Sequence, residues 1–328
     1  MEENKLIAKI AHLYYMENKD LKEIGKIFNV SYATISRLLK KGRTNNIIKI
    51  IINSPFEKEV QLEAELKKQL GLEEVFSVRV EDNFSYDNIL NLLGMETARY
   101  LSSILKDGDN LGISWGNTIY NVVNNLKGTV KKKVNLIQLQ GQMSWYRPIE
   151  LTSFDLIRRM KNQFSGSFHF INSEALVDDE ETKNILMRSD AIKNTFKLHE
   201  TINVALLSVG VFDPYSTNFY YKDYLKSTEI EELVKKRIIG ETIFKFFDSS
   251  GNICKTRIHN RAICIRTEDL VKIENKILVA GGLRKVNAIL GAIRAGLVDT
   301  LIIDSLCLKK MLQLLKKNED GTSLASKG

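Results

Sequence analysis

Three short stretches of this chain carry residue types suited to holding a phosphate or the hydroxyls of a sugar. Ser114-Trp115-Gly116-Asn117-Thr118 is a glycine turn flanked by short polar side chains; Gly281-Gly282-Leu283-Arg284-Lys285 joins glycines to two cations; Gln140-Gly141-Gln142 offers neutral amides. Each follows an apolar, β-type run (NLGIS, KILVA and NLIQL), and the first two open directly into a helical pattern. Free N–H groups at a helix start attract phosphate, a lysine adds compact positive charge, and Ser, Asn, Thr and Gln match hydroxyls. Glycine at such a junction is more often turn geometry alone. The weight therefore rests on the convergence of Ser114, Gly116, Asn117, Thr118, Gln140, Gly281, Gly282 and Lys285. Asp248, in FFDSSG, brings a carboxylate that either receives sugar hydroxyls or caps its own turn. No G-x-x-x-x-G-K-[ST] occurs, and no G-x-G-x-x-G follows the first strand, so no nucleotide cofactor is expected. Cys254, Cys264 and Cys307, and His12, His169, His199 and His259, lack disulfide or metal-ligand spacing and read as structural residues.

A second kind of chemistry stands at the other end of the chain, in LKEIGKIFNVSYATISRLLKK. Asp20 with Glu23 is a capping box that starts a helix near Leu21, whose inner face is Leu21, Ile24 and Phe28. Gly25 supplies a small surface where two helices cross, and Asn29 suits the left-handed end of the helix. Ser31 caps the next helix, with Ile35, Leu38 and Leu39 as its inward stripe. Its outward set is Tyr32, Ala33, Thr34, Ser36, Arg37, Lys40 and Lys41. With Ser31, these place short hydroxyls and a methyl at the helix start and cations farther along, which suits base edges and phosphates of double-stranded DNA. Residues 1–56 hold ten Lys and Arg against five Asp and Glu, a net +5 out of +8 for the whole chain, so the positive charge is concentrated at this end.

The remaining elements must position these groups. Leu6, Ile7, Ile10, Leu13 and Tyr14 supply a helix before the motif, and IIKIIIN (47–53) reads as a strand or wing, closed by Pro55. Residues 57–70 read equally as a linker helix or as a surface helix of the body, with Leu62, Leu66 and Leu70 on one stripe. Beyond it, strand patterns at 75–80, 110–114, 134–139, 167–171, 203–210, 276–280 and 300–304 alternate with helical ones at 88–105, 117–126, 151–164, 284–295 and 305–317. Such alternation predicts a largely parallel sheet covered by helices on both faces, with ligands beyond the carboxyl ends of the strands. Lys131 to Lys133 read as a solvated turn, and residues 318–328 as a frayed tail. The 328 residues suit a 1–56 helix-turn-helix domain plus a 57–317 body for effector binding and oligomerisation. No apolar run is long enough to cross a bilayer, and the first twenty residues do not read as a signal peptide, so a cytoplasmic protein without membrane partners is expected.

Taken in order, LKEIGKIFNVSYATISRLLKKGRTNNIIKIIINSPF, DGDNLGISWGNTIYNVV, FFDSSGNI and ILVAGGLRKVNAILGAIRAGLVDTLIID resemble the SorC/DeoR-type bacterial transcriptional regulators over nearly the whole chain. The resemblance implies an α/β protein: an N-terminal helix-turn-helix head followed by a Rossmann-like, phosphosugar-isomerase-like effector body, assembled as a homodimer or homotetramer. It implies a regulator of a carbohydrate catabolic operon, not an enzyme, whose operator affinity changes with a phosphorylated sugar, usually an inducer. Gly116, Asn117 and Thr118 then match the phosphate or sugar loop, Asp248 the hydroxyl-binding acid and Lys285 the phosphate-binding lysine. Two departures stand out. A family member that captures its ligand as a Schiff base has lysine where this chain has Gln140, and YSTNFYYKDY (215–224) is longer and more aromatic than the pattern. Roles for that segment and for Arg147 are not assigned by the resemblance. The alternative is a sugar-phosphate isomerase-like enzyme with an appended DNA-binding head, but the loops hold no carboxylate–histidine pair to serve an enediol mechanism.

Overall fold

The computed structural model describes residues 2–45, 47–48, 57–126, 132–143, 152–214 and 224–325. The chain divides into two compact units, Met1–Glu57 and Lys58–Gly328.

The first unit packs α1 (Glu2–Tyr15), α2 (Leu21–Phe28) and α3 (Tyr32–Thr44) around Ile7, Ile10, Ile24, Ile35, Leu38 and Leu39. Leu6, expected on the inner stripe of α1, is exposed. Gly25 is required for a reason other than helix crossing: a Cβ there would stand 2.7 Å from the Val30 carbonyl oxygen, so it is the turn backbone that comes close. Ile47 and Ile48 pack on this core, whereas 49–53 of the expected wing and Pro55 lie outside the described residues.

The second unit is built on a seven-stranded parallel sheet of β1 (Glu74–Val78), β2 (Asn110–Ile113), β3 (Asn135–Gln138), β4 (Phe168–His169), β5 (Val204–Leu207), β9 (Asn275–Val279) and β10 (Thr300–Asp304), in the order β1-β10-β9-β5-β2-β3-β4. Strict alternation along the strands makes two cores. Leu111, Ile113, Leu136, Val204, Leu206, Ile277 and Val279 face α5 (Tyr86–Ile104), α6 (Asn117–Asn125) and α7 (Ser153–Met160). Ile137, Leu139, Ala205, Leu207, Leu278, Leu301 and Ile303 face the opposite layer, which includes α13 (Val286–Arg294) and α14 (Ser305–Ala325). Both faces being buried explains why the strands read as unbroken apolar runs.

Helix α4 (Glu57–Leu70) belongs to this unit rather than acting as a free linker. Leu66 is fully buried in its core, Glu63 accepts the Ser77 N–H at 2.6 Å, and Lys67 and Glu65 pair with Glu74 and Lys316. At the other end α14 runs to Ala325, so helix continues into the stretch read as a tail. No proline interrupts it there, and one interior glycine, Gly321, costs only about 1 kcal/mol.

A three-stranded antiparallel sheet escaped the sequence reading: β6 (Gly210–Val211), β7 (Gly240–Thr242) and β8 (Lys245–Phe247). The 203–210 pattern therefore divides, β5 staying in the main sheet and β6 leaving it after Ser208-Val209. The β7–β8 hairpin turns on Ile243 and Phe244, both left-handed (φ 48 and 58), where a turn signal of glycine or asparagine is missing. Also unforeseen are α8 (Glu180–Leu186), α9 (Asp190–His199), α10 (Ser227–Lys235), α11 (Arg257–Arg261) and α12 (Thr267–Lys272).

Candidate DNA-reading helix and effector crevice

In the head, each cap forms as the residue types demand. The Asp20 carboxylate accepts from the N–H groups of Lys22 and Glu23, both at 2.8 Å, and Glu23 returns the favour to the Asp20 N–H at 3.0 Å. Asn29 ends α2 in the left-handed region, and Ser31 Oγ accepts the Thr34 N–H to start α3. Ser31, Tyr32, Ala33, Ser36, Arg37 and Lys40 are exposed on one side of α3, with Thr34 half-buried and its hydroxyl bonded to Ser31. Lys41 is exposed too, but its ammonium is 2.7 Å from Glu3 of α1, and that lysine holds the Glu3 carboxyl below its usual range. Arg37 has no such tie. The helix thus presents an exposed outer face on which, among the described residues, neither Arg37 at mid-helix nor Arg43 near its end is paired with a carboxylate.

In the body, β2, β3 and β4 step outward in one direction, whereas β5 returns to the far side of β2 and leads to β9, β10 and β1. The order reverses between β2 and β5, and a crevice opens there at the carboxyl ends. Gly116 begins α6 with φ 113, a conformation that a side chain resists; a Cβ would meet no neighbouring atom within 4 Å, so the position faces open space. No side chain caps α6, leaving its first-turn N–H groups without an intrahelical acceptor beside Asn117 and the buried Thr118. Ser114 lies at the same place but is committed. Its N–H and its hydroxyl both donate to the Leu206 carbonyl, at 3.1 and 2.9 Å, stitching β2 to β5.

Across β5, the glycine loop after β9 is held by a residue that sequence reasoning passed over. Asp304, buried at the end of β10, accepts the Gly282 N–H at 2.7 Å with one carboxylate oxygen and the Leu306 and Cys307 N–H groups with the other. Its signal was present in the sequence, since an Asp between an apolar strand and a helix is an N-cap pattern. The same contacts mean that the Gly282 N–H is not available to a ligand. Gly281 has no room for a side chain against Asp304 and Leu93. Of the two cations that follow, Arg284 lies over the Tyr86 ring, 5.2 Å from its centroid. Burial raises the Tyr86 phenol above its usual value, and the nearby guanidinium opposes that shift. Lys285, at the start of α13, is half-buried and near enough to counter the rise that burial imposes on the Cys307 thiol.

Gln140 emerges from β3 fully buried, and among the described residues neither polar atom of its amide has a hydrogen-bond partner. Asp248 is not part of this group. Its carboxylate accepts from the N–H groups of Ser250 and Asn252 and from the Asn252 amide, which hold it below its usual range, and the turn packs on Arg294 and Ala295 at the far end of α13. It caps its turn, the second of the two roles its sequence allowed. Two further polar residues have no sequence signature. Thr242 donates to the Ser208 carbonyl at the end of β5, and the Glu241 carboxylate beside it accepts the Phe244 N–H. A cavity of about 310 Å3 lined by His199, Ile202, Arg266, Asp269 and Ile273 opens at the amino ends of β5 and β9, away from the crevice. Arg147 and residues 215–223 lie outside the described residues. Among the described residues, no helix is long and apolar enough to cross a membrane, and no cluster of His, Cys, Asp and Glu is placed to hold a metal ion.

Residues 54–313 match the family model described as "Putative sugar-binding domain". The chain is 31% identical over 306 residues to the deoxyribonucleoside regulator of Bacillus subtilis, covering 92% of this chain and 96% of that protein. It is 26% identical to the sorbitol operon regulator of Klebsiella pneumoniae, covering 91% and 94%. The crystal structure of that full-length sorbitol operon regulator, SorC, superposes with a TM-score of 0.74, covering 94% of this chain and 98% of the other. With the family model covering the α/β body and these relatives spanning both it and the helical head, the chain belongs to the SorC-type family of sugar-sensing, DNA-binding transcriptional regulators.

Proposed function

We propose that this regulator controls a carbohydrate catabolic operon and that its effector is a phosphorylated sugar bound in the crevice between β2 and β5. The carrying observation is the uncapped start of α6 at Gly116, which faces open space across β5 from Lys285. A phosphate dianion in a largely apolar cleft needs backbone N–H donors and at least one cation, because an unpaired charge is expensive to bury. Asn117, Thr118 and Lys285 meet that need, while Ser114, Gly281, Gly282 and Asp304 fix the two loops. Gln140 contributes an amide and no amine, so binding is reversible and leaves no covalent adduct. Ser31, Tyr32, Ala33, Thr34, Ser36, Arg37 and Lys40 face the operator. A single such helix reads one half-site, so a homodimer or homotetramer spans the operator.

Isothermal calorimetry with a panel of phosphorylated sugars and their unphosphorylated counterparts tests this reading. It expects saturable binding confined to the phosphorylated forms, lost in Lys285→Ala. Equal affinity for both forms, or an unaffected Lys285→Ala protein, would overturn it.

A further inference from the structure

A second cationic cluster lies at the same end of the sheet, and among the described residues no carboxylate is paired with either of its ammonium groups, Glu180 acting on Lys183 only at a distance. Lys245 is only 3% exposed, and among the described residues the one group its ammonium reaches is the Cys264 thiol, at 3.3 Å. Lys183, half-buried, donates to the His259 carbonyl at 2.7 Å. Neither ammonium forms an ion pair with a carboxylate among the described residues. Burial pulls Lys183 below the ordinary lysine value and Lys245 pushes it further, so the two cations sense each other. His259 is driven down to about 4 by burial, with both lysines contributing. Leaving a buried ammonium with a thiol as its only acceptor is strongly unfavourable.

The unpartnered amide of Gln140 belongs to this pocket. Gln140 and Cys264 are directly opposite in an antiparallel bridge, with the Ile265 N–H donating to Leu139 and the Gly141 N–H to Ile263. That pattern defines the narrow, non-hydrogen-bonded pair, whose side chains lie on one face in close approach. The Gln140 side chain therefore lies on the same face as the Cys264 thiol that Lys245 reaches, with no hydrogen bond to either among the described residues. Lys245 in turn is opposite Thr242 across the β7–β8 turn, and Thr242 is bonded to Ser208 at the end of β5. These contacts place the pocket on the rim of the effector crevice. Strand β8 is two strand spacings, about 10 Å, from β6, and β6 packs against the Leu283–Lys285 turn.

We propose that Lys245, Gln140 and Lys183 form a second anion-binding subsite, so that the effector carries an acidic group, carboxylate or phosphate, at each end of a hexose-length chain. The inference rests on the crevice reading for the first group but has its own residues. An anionic oxygen takes the Lys245 and Lys183 protons and the Gln140 NH2, satisfying all three donors at once.

Thermal melts of the full chain in inorganic phosphate, at ionic strength matched with chloride, test the subsite in the parent, Lys245→Gln, Gln140→Glu and Lys285→Ala proteins. Phosphate is expected to raise the parent's Tm, with Lys245→Gln losing one part of the rise and Lys285→Ala another. Gln140→Glu supplies the missing negative charge internally, so it should melt above the parent without phosphate and gain less from it. The subsite is overturned if phosphate does nothing beyond chloride, if Lys245→Gln responds like the parent, or if Gln140→Glu melts lower or fails to fold. Should Lys245→Gln itself fail to fold, the Gln140→Glu comparison decides. If only Lys285→Ala keeps the full rise, the first-group assignment fails and the subsite stands. In calorimetry, a hexose bisphosphate or an aldonic acid phosphate should bind at least about tenfold tighter than the hexose monophosphate, one decade of affinity. That advantage should vanish in Gln140→Glu; equal binding of all three by the parent would contradict the two-anion effector.

Discussion

Asp304 accepts the Gly282 N–H at 2.7 Å, so the last residue of β10 fixes the loop that follows β9 and with it the start of α13. The loop that carries Lys285, the proposed phosphate-binding lysine, is thus held from the neighbouring strand. Replacing Asp304 with Ala strands three backbone N–H groups, of Gly282, Leu306 and Cys307, and should cost about 2–4 kcal/mol in chemical denaturation. Asn at this position keeps an acceptor and should cost less. An Asp304→Ala protein as stable as the parent would show that the loop is anchored by other contacts.

On the DNA side Arg37 and Lys41, two of the four cations of α3, should differ. Arg37→Ala is expected to weaken operator binding by about 1–3 kcal/mol if the guanidinium reads a base, or to lower the salt slope by about one if it meets a phosphate. Lys41→Ala should weaken binding less, because Glu3 already holds that ammonium at 2.7 Å. Releasing it with Glu3→Gln should strengthen binding and steepen the salt dependence. Fluorescence anisotropy across a salt series separates the three variants, and equal losses for Arg37→Ala and Lys41→Ala would argue against the Glu3 contact in solution.

Much of this was legible in the sequence because it follows local rules. Caps at Asp20 and Ser31, the left-handed Asn29 and the two-faced apolar strands each depend on a few neighbouring residues, and they formed where those residues stand. The antiparallel sheet of β6, β7 and β8 was not legible, since its strands are two or three residues long and its turn uses Ile243 and Phe244. Periodicity cannot register over so few positions. At the crevice, glycine turns and Lys285 were visible as sequence, while the commitment of Ser114 to Leu206 and the engagement of Asp248 within its own turn depend on partners the spacing does not reveal. Lys245 was invisible for the same reason: only tertiary packing buries it beside Cys264.

Arg261 and Glu229 form a two-pronged buried ion pair, at 2.7 and 2.8 Å, and the same guanidinium donates to the carbonyls of Val177 and Tyr224. The pair ties α10 and α11 to both flanking segments. Arg261→Met should destabilise the protein by about 3–5 kcal/mol, because it leaves Glu229 buried without its cation. Adding Glu229→Leu should recover much of that loss. Urea denaturation of the single and double variants would contradict this if the double variant were the less stable of the two.

Stability should also fall on acidification through His259. Burial, followed by the charge of Lys245, lowers its imidazole from 6.5 to about 4, so the folded chain keeps it neutral while the unfolded chain takes up a proton. With more protons on the unfolded state, stability is fullest above about pH 6.5 and is lost as pH drops toward about 4, by a total on the order of 3 kcal/mol. Burial lowers His199 as well, which adds in the same direction. In His259→Gln the denaturation midpoint should depend less on pH across this window; an unchanged slope would exclude His259 as a source.

A phosphorylated sugar in the body is expected to govern DNA binding by the head. The most direct measurement is the affinity of the full chain for its operator, selected from random duplex DNA, titrated with phosphorylated sugars in the parent and in Lys285→Ala. The account predicts that at least one phosphorylated sugar changes the parent's operator Kd by about tenfold or more, a coupling of about 1.4 kcal/mol. It also predicts that Lys285→Ala binds the operator like the parent without ligand and responds to none of them. Operator affinity indifferent to every phosphorylated sugar, or a full response in Lys285→Ala, would contradict it.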